Sequence, residues 1–487
     1  MDHISTTTKA IILSFAVLLF FSSSLQGQAG GAGHETDPVY RLIVSDSLRA
    51  SSVYHNYTYV PQNYTKVPHG FKPVYAVVYA RHGARWLGSA DEYKRPLSFL
   101  ASADSSDNLT PLGKSLYARV LAIAEDASLR EGSLTPKGRM QHREIAGRFY
   151  ERFRPLLRKG GVVEASSTSV QRCILSMAAF CGRLSELNPK LDVRLEQTGR
   201  THVMNNFFKD NYAVPSISSN ASRIKTVNDS LMGLLDYDAF MSRIFIDPSK
   251  CSSKPASLAN ELYYIAADQQ DLENGISIYD VFTAEDLYIL TLRDNWRFYN
   301  NFASTPLSGG YSALCSGRLL NEVFERADTS LARYSRADRS GTGGSGGKRS
   351  RVVADLHFGH DVNVIALSSL LAYSQYSSPV AKVSGRKANE SEGPARTGLS
   401  DVPERIDASV MVSDPVELAR LWSDHSISPM AGNIQLLFYR NHKGEILVKF
   451  LHNEREMRLP IPAWSGPYYS YDSVRSYIDS RLASLRK

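Results

Sequence analysis

The run Val74–Ala80, Val-Tyr-Ala-Val-Val-Tyr-Ala, carries no charge and stops abruptly at Arg81-His82-Gly83-Ala84-Arg85. A short apolar, β-rich stretch of this kind reads as a buried strand. The chain therefore sets two guanidiniums and an imidazole at the point where a buried strand emerges. Ligands in open α/β sheets sit outside the carboxyl ends of the strands, so this junction constrains fold and site together.

The same arrangement recurs twice. Val162–Ser167 reads as a second short strand, and Arg172 follows it after Thr168 and Ser169. Val352–His357 reads as a third, leading into Gly359-His360-Asp361. Between them lie helical patterns. Leu109–Gly113 and Leu134–Gly138 are near copies, Leu-Thr-Pro-Leu-Gly and Leu-Thr-Pro-Lys-Gly. In each, Thr is suited to cap a helix and Pro to occupy its first turn. The second copy opens a long helix with Ile145, Phe149 and Phe153 on one face, and a further helix is expected over Ser169–Leu187. From Met204 to Arg336 helical patterns dominate: Ser230–Phe245, Ala256–Leu272, Ala284–Phe302 and Leu314–Tyr334. Later, Val364–Leu371 reads as helix, Ser377–Glu404 as a polar loop, and Ile434–Tyr439 with Glu445–Leu451 as a hairpin around Asn441-His442-Lys443-Gly444. Tyr471–Leu485 reads as a final helix.

Strands alternating with helices argue for a layered α/β core, with a mainly parallel sheet flanked by helices and a mainly helical cap inserted in the chain. The expected division is a signal peptide over residues 1–29 and a first part of the core over 30–203. A helical cap insert follows over 204–336, a Gly/Ser linker over 337–350, and the second part of the core over 351–487.

The amino terminus reads as an address. Lys9 precedes the apolar run Ala10–Phe21, and small and polar residues follow to Gly33. About 20 residues are needed to cross a bilayer, so this run has the length of a signal-peptide core instead. Removal after Gly27 or Ala29 fits, and a secreted or periplasmic protein is expected, with no stable membrane insertion. The net charge of +7 is mild and hints at an anionic small-molecule partner, with no nucleic acid. Cysteine is sparse, and Cys173 and Cys181 lie eight apart in one helix, too far to bridge. Cys251 and Cys315 are left as a pair that export would permit to join. Six Asn-x-Ser/Thr sites, at Asn56, Asn63, Asn108, Asn220, Asn228 and Asn389, matter only in a host that glycosylates.

If the three strands are parallel neighbours, their loops converge. Arg81, Arg85 and Arg172 can then grip a phosphate with charge-assisted bonds. The neutral imidazole of His82 is a competent nucleophile at phosphorus. Asp361 can protonate the leaving oxygen if burial or bound phosphate opposes the acidifying pull of the arginines.

These motifs, in this order over roughly residues 70–375, resemble the histidine acid phosphatases, the branch that includes phytases and multiple inositol polyphosphate phosphatases. The supporting matches are Arg81–Arg85, Leu134–Gly138, Ser166–Cys173 and Gly359–Asp361. The resemblance implies a phosphohistidine intermediate on His82, phosphate binding by Arg81, Arg85, Arg172 and His360, Asp361 as proton donor, and no metal or other cofactor. The long amino-terminal region and Ser166–Cys173 look closest to the inositol polyphosphate phosphatases. That group commonly has His-Ala-Glu where this chain has His360-Asp361-Val362, the form typical of other phytases and acid phosphatases.

Other readings stand beside this one. His357, His360 and Asp361 have residue types that suit zinc or iron. His142, His202, His425 and His452 read as structural, and Trp86 as packing near the site. The basic face of Lys137–Lys159, eight Lys/Arg against Glu144 and Glu151, reads as a solvated face. Arg200, Lys209, Arg223 and Lys225 form a basic set near the start of the insert, suited to the extra charges of a polyphosphate. The leading function is an exported phosphomonoesterase acting on inositol polyphosphates. The rivals are a broad acid phosphatase, a mutase-like phosphotransferase and a phosphate-binding module.

Overall fold

A computed structural model describes residues 34–206, 218–303, 311–339, 351–372 and 414–485. The expected signal peptide, residues 340–350 of the Gly/Ser stretch, the polar loop expected over 377–404 and Lys209 lie outside these, as does the Cys315 side chain. The strands are β1 Lys72–Arg81, β2 Gly161–Ser167, β3 Leu191–Glu196, β4 Val352–Gly359, β5 Asn433–Arg440, β6 Ile446–His452, β7 Arg455–Met457 and β8 Tyr468–Ser470. They form one sheet in the order β3-β2-β4-β1-β5-β6-β7, with β8 also on β6. Strands β3, β2, β4 and β1 run parallel, and β5 pairs antiparallel with β1.

Alternation along β1 explains why both faces are covered. Tyr75, Val77 and Tyr79 join a core built with the helices Tyr311–Arg339, Asp361–Leu371 and Tyr471–Leu485. Ala76, Val78 and Ala80 face the helices Pro136–Arg152, Arg154–Leu157 and Gln171–Leu187. A strand buried on both sides has no polar face, which is why the run looked uniformly apolar. Each fully buried Val or Leu of this kind contributes about 1.5–3 kcal/mol.

A third core is all helical. The helices Asp91–Ser105 and Pro111–Ala127 share it with Ser218–Met232, Tyr237–Ile244, Pro255–Asp268 and Ala284–Phe302. Among the described residues between 204 and 336 there is no strand. The helix expected over Ser230–Phe245 is two helices, broken after Met232 where Gly233, Leu234 and Leu235 turn the chain. β3 was not foreseen, because it is the edge strand and only Leu191 of its six residues is buried.

The two Leu-Thr-Pro copies dock differently for one reason. Thr110 accepts from the Gly113 N–H and Thr135 from the Gly138 N–H, the expected caps. A Cβ on Gly113 would lie 2.1 Å from the Ile244 carbonyl oxygen, so this copy packs backbone to backbone on the helical core. A Cβ on Gly138 would lie 2.3 Å from the Ala84 oxygen, and one on Gly83 would lie 2.4 Å from the Gly138 oxygen. The second copy therefore presses a helix start against the loop after β1, at a distance only two glycines allow.

The basic face of Lys137–Lys159 is not simply solvated. Arg148 and Arg152 turn inward and reach Glu454 at 2.8 and 2.9 Å, and the Glu454 side chain has no exposed surface. A charge buried so deeply requires such pairing. Cys173, Cys181 and Cys251 are free thiols.

Candidate active site

The register aligns the three strand ends. Arg81 pairs with Gly359 between β1 and β4, and Ser167 with Phe358 between β2 and β4. The loops then cross-brace: the His82 N–H donates to the Gly359 oxygen at 3.0 Å and the Thr168 N–H to the Phe358 oxygen at 3.1 Å. The expected convergence is thus produced by three adjacent parallel strands, with β4 in the middle.

The loop Arg81–Arg85 is held from every side. The Gly83 N–H donates to Ser176 Oγ, the Ala84 N–H to Gln141 Oε1, and the Thr135 N–H and hydroxyl to the Ala84 oxygen. His82 is buried, and its Nδ1 lies 2.9 Å from the Gly83 carbonyl oxygen. An oxygen can only accept there, so Nδ1 carries the proton and Nε2 keeps its lone pair. Burial, then the charges of Arg172, Arg81 and Arg85, push the His82 imidazole well below its ordinary range. The His360 ring stands edge-on to it with centroids 5.7 Å apart. Burial and Arg172 bring His360 down to about 4.

Asp361 is the first residue of its helix, with His360 as the extended cap. The helix expected from Val364 thus begins three residues earlier. One Asp361 oxygen lies 3.5 Å from an Arg81 nitrogen, and the other accepts the Val362 N–H. Burial pushes this carboxyl up, but Arg81, His360, the Val362 N–H and Arg85 outweigh it and leave Asp361 below its usual range. Arg172, second residue of the helix Gln171–Leu187, donates to the Gly132 oxygen at 3.4 Å, and its ionisation is pulled down by burial and then by Arg85.

Several groups were not foreseen. The segment before β1 supplies one wall, where Arg81 donates to the Val53 carbonyl oxygen, and the stretch before β5 another, where it donates to that of Ser428. Tyr54 accepts from Arg85 at 3.3 Å, with its ring centroid 5.1 Å from that guanidinium. Behind these arginines sit Asp268 and Asp271, both wholly buried. Burial raises both carboxyls and the Asp268 charge raises Asp271 further, while Arg85 opposes the rise in both and Arg81 that of Asp271. The sequence held one signal for them: Asp268 closes the otherwise apolar run Tyr263–Ala267. A third buried histidine, His357, was a candidate metal ligand. Its Nδ1 meets Asn205 and Ser166, and its Nε2, which makes no hydrogen bond, lies 3.3 Å from an Asp355 carboxylate oxygen. No group of three His, Cys, Asp or Glu that could hold a metal ion occurs among the described residues.

Arg200 pairs with Glu322 at 3.1 Å and Lys225 with Asp229 at 2.5 Å, both exposed, and Arg223 is exposed on the helix Ser218–Met232. Trp86 is buried, donating to Asp126 with Arg130 over its ring.

Comparison with known proteins follows the same lines. A family model described as the histidine phosphatase superfamily (branch 2) matches residues 74–453. Comparison with curated protein sequences finds no match. Among solved structures, a multiple inositol polyphosphate phosphatase of Bifidobacterium longum, in complex with inositol hexasulfate, aligns with TM-score 0.62 and 18% identity over 88% of this chain and 97% of its own. A phytase from D. castellii aligns with TM-score 0.55 and 14% identity over 91% of this chain and 86% of its own. These likenesses are of fold.

Proposed function

We infer the function from one premise: this chain belongs to branch 2 of the histidine phosphatase superfamily. We propose that it is an exported phosphomonoesterase that hydrolyses inositol polyphosphates through a phosphohistidine. The observation that carries the chemistry is His82, whose Nδ1–H is held by the Gly83 oxygen while the loops bearing Arg81, Arg85, Arg172 and His360 surround it. In this reading Nε2 attacks phosphorus, the bond from phosphorus to the leaving oxygen breaks, and Asp361 gives that oxygen its proton. Water then attacks phosphorus, the phosphorus–nitrogen bond breaks, and the water yields its proton to Asp361, releasing phosphate and neutral His82. The arginines stabilise charge on the transferring group throughout.

The substrate class is supported by the fold shared with an inositol polyphosphate phosphatase bound to inositol hexasulfate. Export is supported by the signal-like residues 1–29, and no helix among the described residues is long and apolar enough to cross a membrane. The second reading, a broad acid phosphatase, is favoured by the His360-Asp361 turn and by the surface pairing of Arg200 and Lys225. Phosphate release over a panel of phytate, glycerol phosphate and nitrophenyl phosphate decides between them. The first reading expects phytate to have the highest kcat/KM. Turnover of the simple esters with phytate untouched replaces it with the second.

The pH dependence has a definite sign. His82 lies well below the ordinary imidazole range, so the nucleophile stays neutral as the solution is acidified. Asp361 is held below its usual range, so its protonated fraction grows as pH falls through the neutral and mildly acidic region. For an alkyl phosphate, kcat/KM is therefore expected to keep climbing as pH falls from neutral into the acid range, governed by the free-enzyme acid. A profile that instead falls on acidification through about 6.5, the value of an ordinary histidine, contradicts the environment assigned to His82.

A further inference from the structure

The turn that carries His360 and Asp361 is held by a residue outside the motifs. Tyr79, two positions before Arg81 on β1, is buried, and its hydroxyl meets two backbone groups. It accepts the His360 N–H at 3.1 Å and donates to the Asn205 carbonyl oxygen at 3.1 Å. The His360 N–H lies at a helix start, where no helical carbonyl can reach it. Asn205 ends the helix Gly199–Asn205 and is itself a hub. Its carbonyl oxygen also accepts from Asn363 Nδ2 at 2.9 Å, in the first turn of the Asp361 helix. Its side chain joins Ser166 of β2 and His357 of β4, both at 3.1 Å. The fit is tight: a Cβ on Gly359 would lie 2.1 Å from the Tyr79 hydroxyl and 2.4 Å from the Asn205 oxygen.

We propose that Tyr79, anchored on Asn205, is a positioning residue that fixes the His360–Asp361 turn so that the Asp361 carboxyl meets the leaving oxygen. The proposal rests on Asp361 being the proton donor. Tyr79 makes none of the hydrogen bonds of Arg81, Arg85 or Arg172, so its loss falls on the His360–Asp361 turn: it disturbs proton delivery by Asp361 and reaches phosphate binding only through His360. A purely structural tyrosine would weaken all steps alike.

The test is Tyr79→Phe, which removes one oxygen and keeps the ring in its apolar contacts. On an alkyl phosphate kcat is expected to fall on the order of tenfold to a hundredfold, the scale of a misaligned catalytic group. Inhibition by inorganic phosphate, held chiefly by the three arginines, should weaken by no more than a few-fold, roughly, and nitrophenyl phosphate, whose leaving group needs no proton, should lose far less than the alkyl substrate. In an Asp361→Asn background, Tyr79→Phe should add no further loss on the alkyl substrate. Equal losses on both substrates, or losses that multiply with Asp361→Asn, overturn the proposal. If Asp361→Asn alone shows no leaving-group dependence, it is the donor assignment that fails, and this proposal with it. Should Tyr79→Phe not fold, Asn363→Ser, which withdraws the amide that reaches both the Tyr79 hydroxyl and the Asn205 oxygen while keeping the tyrosine, is read by the same substrate pattern.

Discussion

Replacing His82 by alanine is expected to abolish turnover while the protein keeps its fold. In this reading the imidazole takes the phosphoryl group, and removing a covalent nucleophile costs about 10³-fold or more in kcat. The fold should survive because the loop is held chiefly through its backbone, by Ser176, Gln141 and Thr135. Two further braces are also main chain: the His82 N–H to Gly359 and the Ala431 N–H to the His82 oxygen. The variant leaves a small cavity in a buried site, and its thermal unfolding should show a modest loss. Phosphate and vanadate should still bind, since the arginines remain. A folded His82→Ala protein that retains appreciable activity would remove the nucleophile assignment.

Asp361→Asn is expected to discriminate between leaving groups. Alkoxides, including those of an inositol ring, leave poorly unless protonated, whereas nitrophenolate leaves readily. General acid catalysis is worth on the order of 10²–10⁴-fold, so the alkyl ester should lose at least a hundredfold, roughly, and the nitrophenyl ester far less. The substituted asparagine would still accept the Val362 N–H through its side-chain oxygen, so the helix start should hold. The change also removes the negative charge 3.5 Å from Arg81, which should tighten phosphate binding slightly. Equal losses on the two esters would mean that Asp361 organises the site without donating a proton.

Much of this was legible because the chemistry sits where local signals are strong. β1, β2 and β4 are short strands buried over most of their length, and each ends at the residues that matter. The Thr-Pro starts at Thr110 and Thr135 gave their helices away through capping alone. What the sequence hid depends on partners far along the chain. Nothing local says that Tyr54 lies against Arg85, that the Val53 oxygen receives Arg81, or that Glu454 gathers Arg148 and Arg152. Asp268 and Asp271 reach the arginines only through the packing of the helical core. Tyr79 looked like one more apolar strand residue, and its hydroxyl found its role only when Asn205 and His360 were brought beside it. Buried polar groups of this kind must find partners, but sequence does not say which.

The central claim is a covalent phosphohistidine on His82, and trapping it is the most direct measurement. Enzyme mixed with a phosphorylated substrate for a few turnovers, then denatured at alkaline pH where a phosphorus–nitrogen bond survives, can be digested and its peptides weighed. The account predicts one phosphoryl group on the peptide containing His82, absent without substrate, absent in His82→Ala and accumulating in a variant such as Asp361→Asn if the second step needs that carboxylate as base. Phosphate found on another residue, or product formed with no phosphopeptide at any time down to a single turnover, would contradict it.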